Sequence, residues 1–92
     1  MSLQLISTRH FDRRAKDFCR AHPELRKPLA ALLLDLESDP FRPHLRLHPL
    51  SGGLKGLHAV RLTRSYRMTV ILRLEAHEIV LLDIGSHDEV YR

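Results

Sequence analysis

A short run late in the chain constrains the architecture more than any other feature. Tyr66, Met68, Val70, Leu72 and Leu74 fall on one side of an alternating pattern, with Arg67, Thr69, Ile71 and Arg73 on the other. Period two belongs to a β-strand with one face buried, and a slip of one residue would turn the whole apolar set outward. The apolar face therefore needs a cover, and the chain before it supplies one. Leu29, Leu32, Leu33 and Leu36, with Leu25 ahead of them, recur at helical spacing. This helix is expected to become regular near Lys27–Pro28, after a turn at residues 23–26, and to stop at Asp39-Pro40. A first helix, capped by Thr8 or Ser7, presents Phe11, Ala15, Phe18 and either Cys19 or His22, and ends at His22-Pro23. Asp12 lies in its first turn, and Asp12–Lys16 and Arg13–Asp17 have ion-pair spacing.

Strands account for the rest. Leu3–Ser7 is short and alternating, while Leu57–Thr63, Tyr66–Glu75 and Glu78–Ser86 are rich in aliphatic and β-branched residues, with gaps that suit hairpins. Between Phe41 and Gly56 the prolines and glycines predict a long ordered connection, with a short strand near Leu45–Leu47. The expected fold is α+β: an N-terminal strand and a two-helix hairpin packed on one face of a small antiparallel sheet, residues 1–92 forming a single domain. The opposite face is then open to polar chemistry. Arg61 and Arg67 are expected there, with Asp83 close enough to pair with one of them.

Charge is segregated along the chain. Between Pro40 and Leu74 there is no Asp or Glu, yet Arg42, Arg46, Lys55, Arg61, Arg64, Arg67 and Arg73 lie within it, with His44, His48 and His58. A net charge of +4 thus conceals a strongly basic segment inside an acidic remainder. Such a field attracts polyanions, so a nucleic acid or an acidic protein is the first partner to consider. Cys19 is the only cysteine, which excludes an internal disulfide and a Cys-rich metal site; on an apolar helix stripe it reads as a small buried hydrophobe. No apolar run approaches membrane-spanning length, and no secretory h-region opens the chain, so the expected location is the cytoplasm.

The residues able to do chemistry are few. His48 lies in Leu47-His48-Pro49-Leu50, before the Ser51-Gly52-Gly53 turn, and His87 in Gly85-Ser86-His87-Asp88, with Tyr91 shortly after. With Arg61 and Arg67 they make up the set needed to cleave an RNA phosphodiester without a metal or other cofactor. A base removes the ribose 2′-OH proton, an acid protonates the leaving 5′-oxygen, and fixed cations hold the charge on phosphorus. Histidine titrates near neutral pH and arginine grips phosphate through two donors. Each also has a plainer reading: a solvated loop histidine, or an arginine paired on the sheet face. Arg42, Arg46, Lys55, His58 and Arg64, with Arg73, are the candidates for holding RNA away from the scissile bond.

Several segments, taken in order, bear a likeness to a known family. They are Ala21-His22-Pro23-Glu24-Leu25, Asp39-Pro40, Leu47-His48-Pro49-Leu50-Ser51-Gly52, Tyr66-Arg67-Met68 and Ile84-Gly85-Ser86-His87-Asp88-Glu89-Val90-Tyr91. Over nearly its whole length the chain resembles the RelE/ParE superfamily of type II toxin–antitoxin toxins, most of all the YafQ-type and RelE/StbE mRNA interferases. The resemblance implies metal-independent cleavage of mRNA on the ribosome and a cognate antitoxin that covers the basic surface. It matches His48 and His87 to the catalytic histidines, as base and acid or the reverse. It matches Arg67 and Arg61 to basic residues of the site and Tyr91 to its aromatic. Where YafQ-type enzymes carry Asp-Trp, this chain has Ser65-Tyr66. Two other readings share the fold: a ParE-like toxin that inhibits a topoisomerase, and an inactive relative that binds only antitoxin or nucleic acid.

Overall fold

The computed structural model describes residues 2–51 and 55–90. Tyr91, Gly52 and Gly53 lie outside the described residues. Strand β1 (Gln4–Ser7) leads into helix α1 (Arg9–Ala21), whose N-cap is Thr8. The Thr8 hydroxyl accepts a hydrogen bond from the Phe11 N–H at 3.1 Å and donates one to the Leu81 carbonyl at 2.9 Å, so a single side chain starts the helix and ties it to the sheet. Phe11 and Phe18 are buried, and Ala15 and Cys19 pack against the same core. At the far end of α1, Phe18, His22 and Tyr66 form a ring cluster with centroids 4.8 to 5.1 Å apart.

After a 3₁₀ turn over Pro23–Leu25, helix α2 runs Arg26–Ser38. It begins one residue before the expected point. Pro28 falls in its first turn, where the backbone N–H groups have no intrahelical acceptor and a missing one does no harm. Leu29, Leu32 and Leu36 are buried on its inner face. Neither helix of this pair, nor any other described one, is long and apolar enough to cross a membrane.

Strands β2 (His48–Pro49), β3 (Leu57–Arg61), β4 (Tyr66–Arg73) and β5 (Glu78–Ser86) complete a five-stranded sheet of order β1-β5-β4-β3-β2. The last four strands are antiparallel neighbours, as expected, while β1 joins the edge of β5 in parallel. A single-turn helix, α3 (His87–Val90), directly follows β5. The alternation within β4 is realised: Met68 and Val70 are fully buried, and Tyr66 and Leu72 pack against the core. A bulge interrupts its pairing with β5 between Thr69 and Val70. Leu74 departs from the pattern. The strand ends at Arg73, and Leu74 opens a 3₁₀ turn that closes through left-handed His77, which leaves it 44% exposed. The short strand expected near Leu45–Leu47 lies instead at His48–Pro49. Pro43 starts a 3₁₀ turn and Arg46 adopts a left-handed conformation, so the chain cannot extend before residue 48.

Gly56 sets the entry to β3. Its φ is +83°, and a Cβ there would meet the Leu72 carbonyl oxygen at 2.7 Å. Gly56→Ala is expected to lower unfolding stability by about 1–3 kcal/mol, read as a shift in the urea midpoint at unchanged slope.

Candidate active site

The β3–β4 hairpin brings two arginines together. Arg61 and Arg67 are register partners, directly opposite across the strands. Like charges in that relation repel. The hairpin holds them there through its loop, in which Leu62 N–H donates to the Tyr66 carbonyl at 3.0 Å and the Thr63 hydroxyl accepts from the Ser65 and Tyr66 N–H groups at 3.2 Å. Arg64 projects from the loop tip, and Arg46 and His48 arrive from the connection beside β3, where His48 pairs with Ala59. Together Arg46, Leu47, His48, Val60, Arg61, Arg64 and Arg67 line a cavity of about 950 Å³. Among the described residues that wall holds no carboxylate, so its charged side chains are all positive and suit an anion.

The orientation of His48 follows from its partner. Its Nδ1 lies 2.8 Å from the Arg46 carbonyl, which can only accept a hydrogen bond, so Nδ1 donates. In the neutral ring Nε2 then carries the lone pair, the arrangement a general base requires. The carbonyl is offered by a residue in the left-handed region: Arg46 has φ 51° and ψ 43°. A non-glycine residue rarely adopts that conformation, and such strain concentrates at functional sites.

His87 is the first residue of α3, exposed, with Nδ1 3.7 Å from Asp88. It stands at the same end of the sheet as the arginine pair, because Gly85 pairs with Arg67 and Ser86 with Tyr66. It is not part of the cavity wall. The Asp83 pairing expected from sequence is corrected here. Its partner is Arg14 of α1, whose Nε donates to the Asp83 carboxylate at 2.8 Å, with His10 3.5 Å from the other oxygen. The β4–β5 bulge shifts the register beside Asp83, and α1 lies along that edge of β5. The hydrogen bond to Asp83, above all, raises the Arg14 pKa. Arg14 carries no motif. Its one sequence signal is a charged residue three positions after Phe11 and four before Phe18, on an otherwise apolar stripe.

The other basic residues go elsewhere. Arg42 reaches Asp35 at 3.6 Å and the Ser38 hydroxyl at 3.0 Å, and His44 reaches Asp35 at 2.9 Å, so both are drawn to α2. Lys55, His58 and Arg73 line a second cavity, of about 820 Å³, with apolar walls from Phe41, Ile71 and Leu74. There His58 Nδ1 donates to the Gly56 carbonyl at 2.7 Å, and Arg73 lies 3.8 Å from Glu78. Among the described residues, no three His, Cys, Asp or Glu side chains cluster as a metal site would require.

No protein-family model matches the sequence, and no curated protein matches it. Solved structures do. A metal-bound toxin from Helicobacter pylori superposes with a TM-score of 0.79 at 26% identity, over 96% of this chain and 98% of that one. A chain of the E. coli DinJ-YafQ toxin-antitoxin complex gives a TM-score of 0.82 at 15% identity, with 100% of both chains covered. A YoeB/ParE toxin from Agrobacterium tumefaciens gives 0.76 at 16% identity, covering 92% of this chain and 99% of that one. Over nearly its whole length, the chain thus has the fold of these solved toxins, a five-stranded sheet with two helices packed on it.

Proposed function

We propose that this protein is the toxin of a type II toxin–antitoxin module and acts as an endoribonuclease on mRNA at the ribosome, in the cytoplasm. The observation that carries this reading is the cavity in which His48 meets Arg46, Arg61, Arg64 and Arg67, with no carboxylate among the described residues of its wall. His48, through Nε2, takes the proton of a ribose 2′-OH. The 2′-oxygen attacks the adjacent phosphorus, the bond to the 5′-oxygen breaks, and His87 supplies the proton that oxygen needs. Arg61 and Arg67 neutralise the charge that builds on the phosphoryl oxygens, the largest task once no metal is invoked. Arg46 and Arg64 hold flanking phosphates, and Tyr91 stacks on a base. An antitoxin would cover the same positive face, a partnership supported by the DinJ-YafQ complex among the structures of the same fold.

The test is cleavage of a defined message on translating ribosomes, alongside growth arrest on induction. His87→Ala is expected to lose both while still binding the antitoxin. Loss of DNA supercoiling with intact message would overturn the reading in favour of topoisomerase inhibition. A separate expectation concerns binding alone. Each phosphate that a side chain neutralises releases condensed counterions and adds about 0.7 to the log–log salt slope of single-stranded RNA binding, so Arg64→Ala should weaken binding and reduce that slope by about 0.7.

A further inference from the structure

The register of β1 with β5 ends at Ser7 and Leu81, and β5 continues past it to Ser86. Along this extension Arg14 of α1 takes the place of a neighbouring strand. Its Nη2 donates to the Ile84 carbonyl at 3.0 Å and lies 3.5 Å from Glu89, while its Nε holds Asp83. Glu89 in turn closes a reciprocal capping box with Ser86. The Glu89 carboxylate accepts from the Ser86 N–H at 2.9 Å, and the Ser86 hydroxyl accepts from the Glu89 N–H at 3.4 Å. Gly85 lies beneath. A Cβ at that position would come within 2.8 Å of the Arg14 guanidinium and 3.0 Å of the Glu89 carboxylate, so the two side chains close onto the strand only because no side chain is there.

We propose that Arg14, Asp83 and Glu89 form a clasp over Gly85 that positions His87. His87 lies between the two members of the capping box, so the box bears directly on where its backbone stands. The hydrogen bonds from Ser86, backbone first, hold the Glu89 carboxyl below the ordinary carboxylate range, in keeping with a charged acceptor engaged in the folded state. Arg14, Asp83 and Glu89 are positioning residues, and the inference rests on the reading of His87 as the group that protonates the leaving oxygen. A small displacement of such a group is enough to slow proton transfer without weakening RNA binding.

Glu89→Ala tests this best, since Glu89 is half exposed and its loss leaves the core intact. Two quantities are read: amide hydrogen exchange over residues 86–90, and kcat and KM for message cleavage on ribosomes. Exchange is expected to speed up about tenfold at the Ser86–Glu89 turn, the scale of a lost helix cap, with β3 and β4 unchanged. In parallel kcat is expected to fall about tenfold or more at unchanged KM. Glu89→Gln, which keeps an acceptor for the Ser86 N–H, should recover most of both, and Gly85→Ala, which leaves the clasp side chains present but pushes them apart, should reproduce the loss. Wild-type kcat in Glu89→Ala, whatever its exchange, overturns the clasp while the cleavage reading survives through an inactive His87→Ala. Full activity in His87→Ala overturns both.

Discussion

Replacing His48 with alanine is expected to lower kcat for message cleavage by about 10²–10⁴-fold, the range general-base removal produces, with KM nearly unchanged. The side chain is exposed, and its recorded bond is the one from Nδ1 to the Arg46 carbonyl, so its removal should alter unfolding stability by no more than about 0.5 kcal/mol. A loss of rate is therefore a loss of chemistry. His48→Asn sharpens the point: its amide can still donate to the Arg46 carbonyl but offers no basic nitrogen, and it should be as slow as alanine. Added imidazole should restore part of the rate to His48→Ala, because the cavity that held the ring remains. A His48→Ala protein that cleaves at the wild-type rate would remove His48 from the mechanism.

The second large effect is on stability. Leu36→Ala should lower the free energy of unfolding by about 2–5 kcal/mol, against a total of about 5–15 for a typical domain. Leu36 has 0% of its surface exposed and lies on the inner face of α2, among the residues that also bury Met68 and Val70. Truncation removes the isopropyl group from that core and leaves a void that its neighbours fill only in part. Leu34, two positions earlier, is 66% exposed, and Leu34→Ala should stay within about 0.5 kcal/mol of wild type. Urea unfolding of the two variants decides the matter, since equal midpoints would mean that α2 does not pack as described.

The elements were legible because each depends on spacing along the chain. Period two in residues 66–73 marks a half-buried strand wherever it occurs, and the leucine stripe of α2 marks a helix face. Leu74 shows where this stops. The alternation runs through it, but the strand ends one residue earlier because a turn must form before β5. The site was legible in part for a similar reason: Arg61 and Arg67 flank one hairpin, so their approach follows from a short loop. His48 reaches them by way of β2, which no local pattern predicts at residues 48–49.

What the sequence determined by itself is the two long helices, the strands β1, β3, β4 and β5, their apolar faces and the concentration of positive charge between Pro40 and Leu74. These are properties of neighbours in the chain. Tertiary structure alone decided how that charge is divided: Arg46, Arg61, Arg64 and Arg67 share one cavity, Lys55, His58 and Arg73 another, and Arg42 turns to Asp35. It also gave Asp83 to Arg14, sixty-nine positions away, rather than to an arginine of the neighbouring hairpin. The physical reason is the same in each case. An ion pair or a cavity wall depends on distance in space, and that distance is set by sheet order and by the bulge between β4 and β5, which one-dimensional spacing does not encode.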